Sequence, residues 1–397
     1  MKVALLNVKF SPNLGDGLLS ECLERALEDS GHRIEIRSVD LAGRTAFSGG
    51  NAFRGPLLSL IQRLPTMLRY PLTYAMLSLL VRYRLRRGYA DLLADVDAVV
   101  LGGGNLIADS DLNFPIKIAS ALHEAARRDL PVAVFGVGVG DTWSPIGKAA
   151  FRHAFATARL VDVTVRDRRS QKVWKRLFAG DAIPASGLAQ DPGLLAAARY
   201  GVAAAPDRGP IGLCLTHPVL LRYHAADDHV HGDIETWFGR FAQALVAAGH
   251  RVLLFTNGSP EDRRLRDGIG PGLVAASKGA ITCAPDVATP GELVQFIAGC
   301  SLIVAHRMHA CIAAHAVGIP AIGLSWDPKL DSFFAVAGRG DFMATPNKMP
   351  LDALVALVAR ALHEPLDEAA RAALIARSRA DVDRLAGLLV DAVDRRG

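Results

Sequence analysis

Cysteine is scarce and without pattern. Cys22, Cys214, Cys283, Cys300 and Cys311 are odd in number and scattered, with no CxxC spacing. Neither a disulfide framework nor a thiolate metal site is therefore expected, and buried, reduced thiols are. An excess of charge is also lacking: 45 Lys and Arg against 40 Asp and Glu leave a net +5. No basic block is interleaved with aromatics, which argues against nucleic acid as a partner, while the mild positive balance suits an anionic small substrate or a membrane surface. No run approaches the roughly 20 uninterrupted apolar residues of a membrane span. The most apolar stretch, 56–89, is interrupted by Arg63, Arg69, Arg82, Arg84, Arg86 and Arg87, and Pro65 and Pro71 are expected to break it. It reads as a pair of helices packed on the domain or, alternatively, as an Arg-flanked interfacial patch making peripheral membrane contact near a lipid-linked substrate. The opening MKVALLNV runs straight into the polar Ser11-Pro12-Asn13 and is too short for a signal-peptide core. The expected location is the cytoplasm, free or at the inner face of the membrane.

What the chain does have is length, apolar residues and glycine. Its 397 residues are half hydrophobic and include 37 Gly, enough for two α/β domains of roughly 150–200 residues each. Residues 2–8 are a continuous apolar run of the kind a buried parallel strand needs, and Leu18, Leu19, Leu23, Ala26 and Leu27 then recur at helical spacing. The same strand-loop-helix unit is expected at 97–101 with 113–129, at 131–136 with 145–158, and at 160–165 with 168–178. After the Pro/Gly/Ala linker 203–210 the pattern restarts. Strands are expected at 211–215, 251–255, 302–305 and 321–325, and helices at 235–248, 260–268, 291–299 and 308–317. Residues 350–396 read as closing helices. The predicted architecture is two Rossmann-like domains, 1–203 and 204–397, facing a central cleft.

In such sheets ligands sit beyond the carboxyl ends of the strands, so the loops that follow strands hold the candidate residues. Asn13, Gly15 and Asp16 follow the first strand; Asp16 either caps the next helix or lines the cleft with Asn13. Gly102, Gly103 and Gly104 with Asn105 form either an anion nest or a tight packing turn. The 136–141 loop is glycine-rich but is not a dinucleotide fingerprint, because its third glycine comes too early. Arg166 stands at a strand tip beside Asp167, placed to offer a planar fork to a carboxylate or phosphate. Gln190-Asp191-Pro192 reads as a crevice wall or a turn. Arg307, Met308 and His309 open a helix directly after a strand, where free amides and the positive end of the helix dipole favour an anion. Lys329, after the next strand, is a third candidate cation. No cluster of metal ligands is visible.

Taken in order, Asn13-Leu14-Gly15-Asp16, Leu101-Gly102-Gly103-Gly104, Val165-Arg166-Asp167 with Ser170, Asp191-Pro192, Arg307-Met308-His309, Gly318-Ile319-Pro320 and Asp327-Pro328-Lys329 resemble the polysaccharide pyruvyltransferase family. The resemblance implies a two-domain fold of the GT-B type and phosphoenolpyruvate as co-substrate, with no other cofactor. It implies a sugar acceptor in an exopolysaccharide, capsule or cell-wall glycan, or in its lipid-linked precursor, that receives a pyruvate ketal. It maps Arg166, Arg307 and His309 onto donor-binding and catalytic positions, Met308 standing where Leu is usual. His309 is the candidate acid or base, with Asp16 and Asp167 as alternatives. Asn13, Gly15, Gly103, Gly104, Asn105, Met308 and Lys329 are candidates for the substrate-binding wall. The rival readings are a GT-B glycosyltransferase using a nucleotide sugar and a non-catalytic carbohydrate-binding protein.

Overall fold

The computed structural model describes residues 1–47, 65–109, 111–205, 209–218, 234–325, 328–346 and 348–396. Residues 56–64 of the apolar stretch, 206–208 of the expected linker, and Trp326 and Asp327 lie outside the described residues. Strands β1 (Lys2–Asn7), β2 (Glu35–Asp40), β3 (Ala98–Gly102), β4 (Pro131–Val137), β5 (Arg159–Val165) and β6 (Gly187–Leu188) form a parallel sheet in the order β2-β1-β3-β4-β5-β6. Helices α1 (Leu14–Glu28), α2 (Thr66–Leu80), α3 (Arg86–Leu92), α4 (Asn113–Ala126), α5 (Pro145–Thr157), α6 (Arg168–Leu177) and α7 (Ala196–Tyr200) belong to this half. In the second half β7 (Ile211–Cys214), β8 (Val252–Phe255), β9 (Ile281–Cys283), β10 (Leu302–Ala305), β11 (Ala321–Leu324) and β12 (Met343–Ala344) form a parallel sheet in the order β12-β11-β10-β7-β8-β9. Its helices are α8 (Ile234–Ala247), α9 (Pro260–Ala276), α10 (Pro290–Ala298), α11 (Met308–Val317), α12 (Pro328–Val336), α13 (Leu351–His363) and α14 (Glu368–Asp394).

The two-residue period of a strand explains the layering. Val3 and Leu5 of β1 face one apolar cluster, which continues through Leu18 and Cys22 of α1 to Leu213 and Ile303 of the second sheet; Ala4 and Leu6 face the other, beneath α4 and α5. Both sheets thus share one core through α1. Caps set where helices begin: Ser144, Ser259 and Thr289 each accept a backbone N–H and are followed by Pro, whose missing donor costs nothing in a first turn. The strand order reverses between β1 and β3 in the first sheet and between β7 and β10 in the second, and at such reversals crevices open.

The two Rossmann-like sheets match the expected class, with several differences in detail. Pro71 does not break its segment: α2 runs through it and continues through a π-helical turn, Val81–Leu85, into α3. Pro71 is itself exposed, near the start of the helix, where the forfeited hydrogen bond is tolerated. Helix α9 likewise passes Pro271 and ends at Ala276 rather than 268, because Leu265, Gly270 and Leu273 are buried along its length. Strands β2, β9 and β12 were not expected. They are short or polar elements at or near sheet edges, without the continuous apolar run of a central strand. The last helix, α14, packs not on the second sheet but against β4, β5 and α1 of the first half.

Gly103 shows why the glycine turn exists. Its φ is +75°, and a Cβ there would overlap Leu19 Cδ2 of α1. Close packing of α1 on β3 therefore requires this glycine, whatever Gly104 (φ +71°) offers a ligand. Gly103→Ala is expected to destabilise the protein by about 2–4 kcal/mol in urea unfolding. In a Leu19→Ala background the same substitution should cost less, and a Gly103→Ala variant as stable as the parent would refute the packing role.

Candidate active site

The site begins at the loop after β1. Asn13, not Asp16, caps α1, accepting from Gly15 N at 3.3 Å. Leu14 N donates to Asn257 O at 2.8 Å, a backbone bond from the first half to the loop after β8. Gly258 (φ +94°) makes this approach feasible, since a Cβ there would lie 2.9 Å from Leu14 Cγ and from Pro12 O. The start of α1 is thus pressed against the carboxyl end of the second sheet.

On that surface α11 follows β10, and its first turn carries His309 against Gly15. A Cβ on Gly15 would lie 2.7 Å from His309 Cβ and 2.8 Å from Nδ1. The glycine therefore seats the imidazole rather than a ligand. His309 Nε2 lies 3.8 Å from Asp191 Oδ2. Burial pulls the His309 pKa below its usual value; Asp191 and Asp16 oppose this, while Arg166 and Lys329 reinforce it. Asp16 is pushed above the usual carboxylate range by burial, with His309, the Ser11 hydroxyl, Arg44 and Arg307 pulling it back. Near neutral pH the imidazole is uncharged, while Asp16 holds a proton more readily than an ordinary carboxyl does.

Arg307 and Arg166 differ in how they are held. Arg307 sits at the N-cap of α11, but its guanidinium is engaged by Asp262, through Nη2 and through Nε at 3.1 Å, and by Ser259 Oγ at 3.3 Å. Asp262 is fully buried and also accepts from His217 N at 2.7 Å. Arg166 is 5% exposed, and its Nε reaches Asp167 Oδ2 only at 3.5 Å. Asp167 itself caps α6, accepting from Ser170 N at 2.7 Å and Ser170 Oγ at 3.1 Å. Gly138 gives the guanidinium room: its Cβ would lie 2.6 Å from both Arg166 Nη2 and Asn105 Oδ1. Nε and Nη2 of Arg166, Oδ1 of Asn105, Oδ2 of Asp191 and Nε2 of His309 are buried and have no hydrogen-bond partner within the described protein.

The structure therefore brings Asp16, Arg166, His309 and Lys329 into one electrostatic neighbourhood, with Asn105 beside Arg166. Asn13 and Asp167 are caps, Gly15 and Gly103 serve close packing, and Met308 packs into the core. Asp191, read from sequence as a wall or turn, caps the 3-10 segment Pro192–Leu195 with Oδ1 and leaves Oδ2 toward His309. Asp262 and Ser259 were missed. Their signal is the Ser-Pro-x-Asp start of α9, a cap motif that follows a strand and so lies at the crevice edge. Among the described residues no three His, Cys, Asp or Glu side chains are grouped as metal ligands.

A family model described as polysaccharide pyruvyl transferase matches residues 13–328. No curated protein matches the chain. Among solved structures, UDP-GlcNAc 2-epimerase from Methanocaldococcus jannaschii is 11% identical, covering 92% of this chain and 94% of its own, with a TM-score of 0.55. The enzyme of that name from Neisseria meningitidis, bound to UDP-GlcNAc, is 10% identical, covering 98% and 100%, also at 0.55. These likenesses, with the two parallel sheets, show a GT-B-like fold, and at such identity they show the fold alone.

Burial also lowers the pKa of His306 to about 3, with Arg307 adding to it, and that of His315 to about 4, with Arg371 and Arg339 adding to it. Below the ordinary histidine value of 6.5 the unfolded chain takes up protons that the native chain refuses, so stability falls as pH drops from about 6.5 toward 4. The raised Asp16 works in the opposite direction, one group against three. His315→Gln should flatten this acid slope by about one proton in urea unfolding across the same range. An unchanged slope would mean that His315 is protonated in the native state.

Proposed function

The chain belongs to the polysaccharide pyruvyl transferase family, and we propose that it moves the pyruvyl group of phosphoenolpyruvate onto two hydroxyls of a glycan sugar, forming a cyclic ketal and releasing phosphate. The observation that carries this reading is the set of orphaned buried atoms on Arg166, Asn105, Asp191 and His309. Such atoms are costly to bury unless a ligand completes them. A donor with a carboxylate and a phosphate suits the unpaired Nε and Nη2 of Arg166 and the positive charge of nearby Lys329, while acceptor hydroxyls suit Asn105 Oδ1, Asp191 Oδ2 and the imidazole.

The proposed steps balance within the site. Asp16, whose pKa burial raises and the donor's negative charge would raise further, delivers its proton to the methylene carbon, and the adjacent carbon becomes an oxocarbenium centre. The first sugar hydroxyl adds there and loses its proton to His309, whose neutral ring suits the role of base and whose charged form Asp191 steadies. Phosphate leaves and takes that proton from His309. The second hydroxyl closes the ketal, and its proton restores Asp16. Arg307, held by Asp262, orders the first turn of α11, and Asp167 positions Arg166. We place the reaction in the cytoplasm, whose reducing conditions suit the free cysteines. The acceptor is a polysaccharide or its lipid-linked precursor. A nucleotide-sugar reaction is less well supported, because α11 has no Asp or Glu to hold a ribose.

Purified protein given phosphoenolpyruvate and candidate glycans should release phosphate and add a pyruvyl mass increment to the glycan. His309→Gln should lower kcat by about 10²–10⁴-fold with the fold intact by circular dichroism. Arg166→Lys should chiefly raise KM for phosphoenolpyruvate, because the charge remains but the fork is lost. Full turnover by His309→Gln would remove it from catalysis; consumption of a nucleotide sugar with none of phosphoenolpyruvate would overturn the reading.

A further inference from the structure

We propose that the helical rod from α2 to α3 docks the protein peripherally on an anionic lipid bilayer. Six of the ten exposed large apolar side chains among the described residues fall on twelve consecutive positions of this rod: Leu72, Tyr74, Met76, Leu79, Leu80 and Tyr83. Tyr83 is 74% exposed and Leu79 55%. Leu72, Met76, Leu79, Leu80 and Tyr83 follow the i, i+4, i+7, i+8, i+11 spacing of a single helical stripe. The opposite side holds the rod to the protein: Val81, Leu85 and Tyr89 are buried, Tyr89 Oη donates to Leu41 O at 2.7 Å, and Arg86 Nε pairs with Glu124 Oε1 at 3.1 Å. The stripe therefore points away from the core.

Charge identifies the partner. Arg82, Arg84 and Arg87 are exposed beside the stripe, and no Asp or Glu occurs between Asp40 and Asp91. Asp111 and Glu124 pair with Arg69 and Arg86, while the apolar stripe and Arg82, Arg84 and Arg87 belong to a segment with no carboxylate of its own, which matches the layered order of a bilayer surface, acyl chains beneath anionic headgroups. No helix among the described residues is long and apolar enough to cross a membrane, so the rod would lie in the interface. Its base adjoins the candidate site. Leu85 lies against Gly43, in the loop whose Arg44 acts on Asp16 and whose Phe47 faces Gly17 of α1. A glycan carried on a lipid would thus meet the crevice on the side that the rod presents to the membrane. The docking itself does not rest on the transfer chemistry.

The test is flotation of the purified full chain with vesicles of phosphatidylcholine alone or mixed with phosphatidylglycerol. Binding is expected to the mixed vesicles and to weaken as salt rises. Arg82→Glu with Arg84→Glu, and separately Leu79→Glu with Tyr83→Glu, should each reduce the bound fraction about tenfold or more, leaving the melting temperature and phosphate release with a soluble acceptor unchanged. No binding by the parent chain, or binding untouched by either pair, would overturn the proposal. So would self-association that the Leu79/Tyr83 pair abolishes without vesicle binding, since the stripe would then belong to a second copy.

Discussion

The packing of His309 on Gly15 is the contact on which the rest of the site depends. A side chain at position 15 would occupy the space of the imidazole, and the first turns of α1 and α11 could not meet. With glycine there, two helix starts from different sheets converge, each bringing the positive end of its dipole. The Leu14-to-Asn257 backbone bond and the glycine at 258 hold this approach from the other side. A parallel sheet places all its strand-to-helix turns along one edge. Two such edges pressed together gather polar groups from segments far apart in sequence.

The same closeness separates the fates of the two arginines. Both stand just beyond a strand, and a buried guanidinium without a counter-charge is costly. Asp262, with no exposed surface, neutralises Arg307. Arg166 has only the longer contact with Asp167, which is already occupied by Ser170. Between the two, the unpaired guanidinium N–H groups are therefore those of Arg166, while burial, Arg166 and Lys329 push the His309 imidazole toward its neutral form. A crevice of this kind combines positive charge with an imidazole pushed toward its neutral form.

How legible this was in the sequence follows from what each feature leaves in the chain. Central strands such as β3 and β10 have both faces buried and read as continuous apolar runs, so both sheets were visible. The edge strand β2, Glu-Ile-Arg-Ser-Val-Asp, is half exposed and owes its conformation to pairing with β1 rather than to its own composition. In the site, position was legible and partnership was not. Arg166, Arg307 and His309 stood out because each follows a strand. That Asp262 ties up Arg307, or that Gly15 seats His309, depends on chain segments 45 and 294 residues away. Asp191 was readable as part of a crevice wall or a turn, and only the fold turns its second oxygen toward the imidazole.

The last helix explains how the His309–Asp191 pair keeps its geometry. Helix α14 has 27 residues, a rod of about 40 Å, and it touches both partners' supports. Arg371, near its start, donates to Ala316 O at 2.9 Å, at the carboxyl end of the helix that carries His309. Two to three turns further along, Ser378 Oγ donates to Asp191 O at 3.2 Å and Asp381 accepts from Gln190 N at 2.7 Å. Beyond these, Arg384 pairs with Asp162 of β5 at 3.1 Å, fixing the rod to the first sheet. Because a helix resists bending, a displacement of α11 relative to the β6 loop must strain either the Arg371 contact or the Ser378 and Asp381 contacts. Residues outside the crevice thereby set the separation within it, and the carboxyl-terminal segment becomes part of the site's construction although none of its side chains reaches the imidazole.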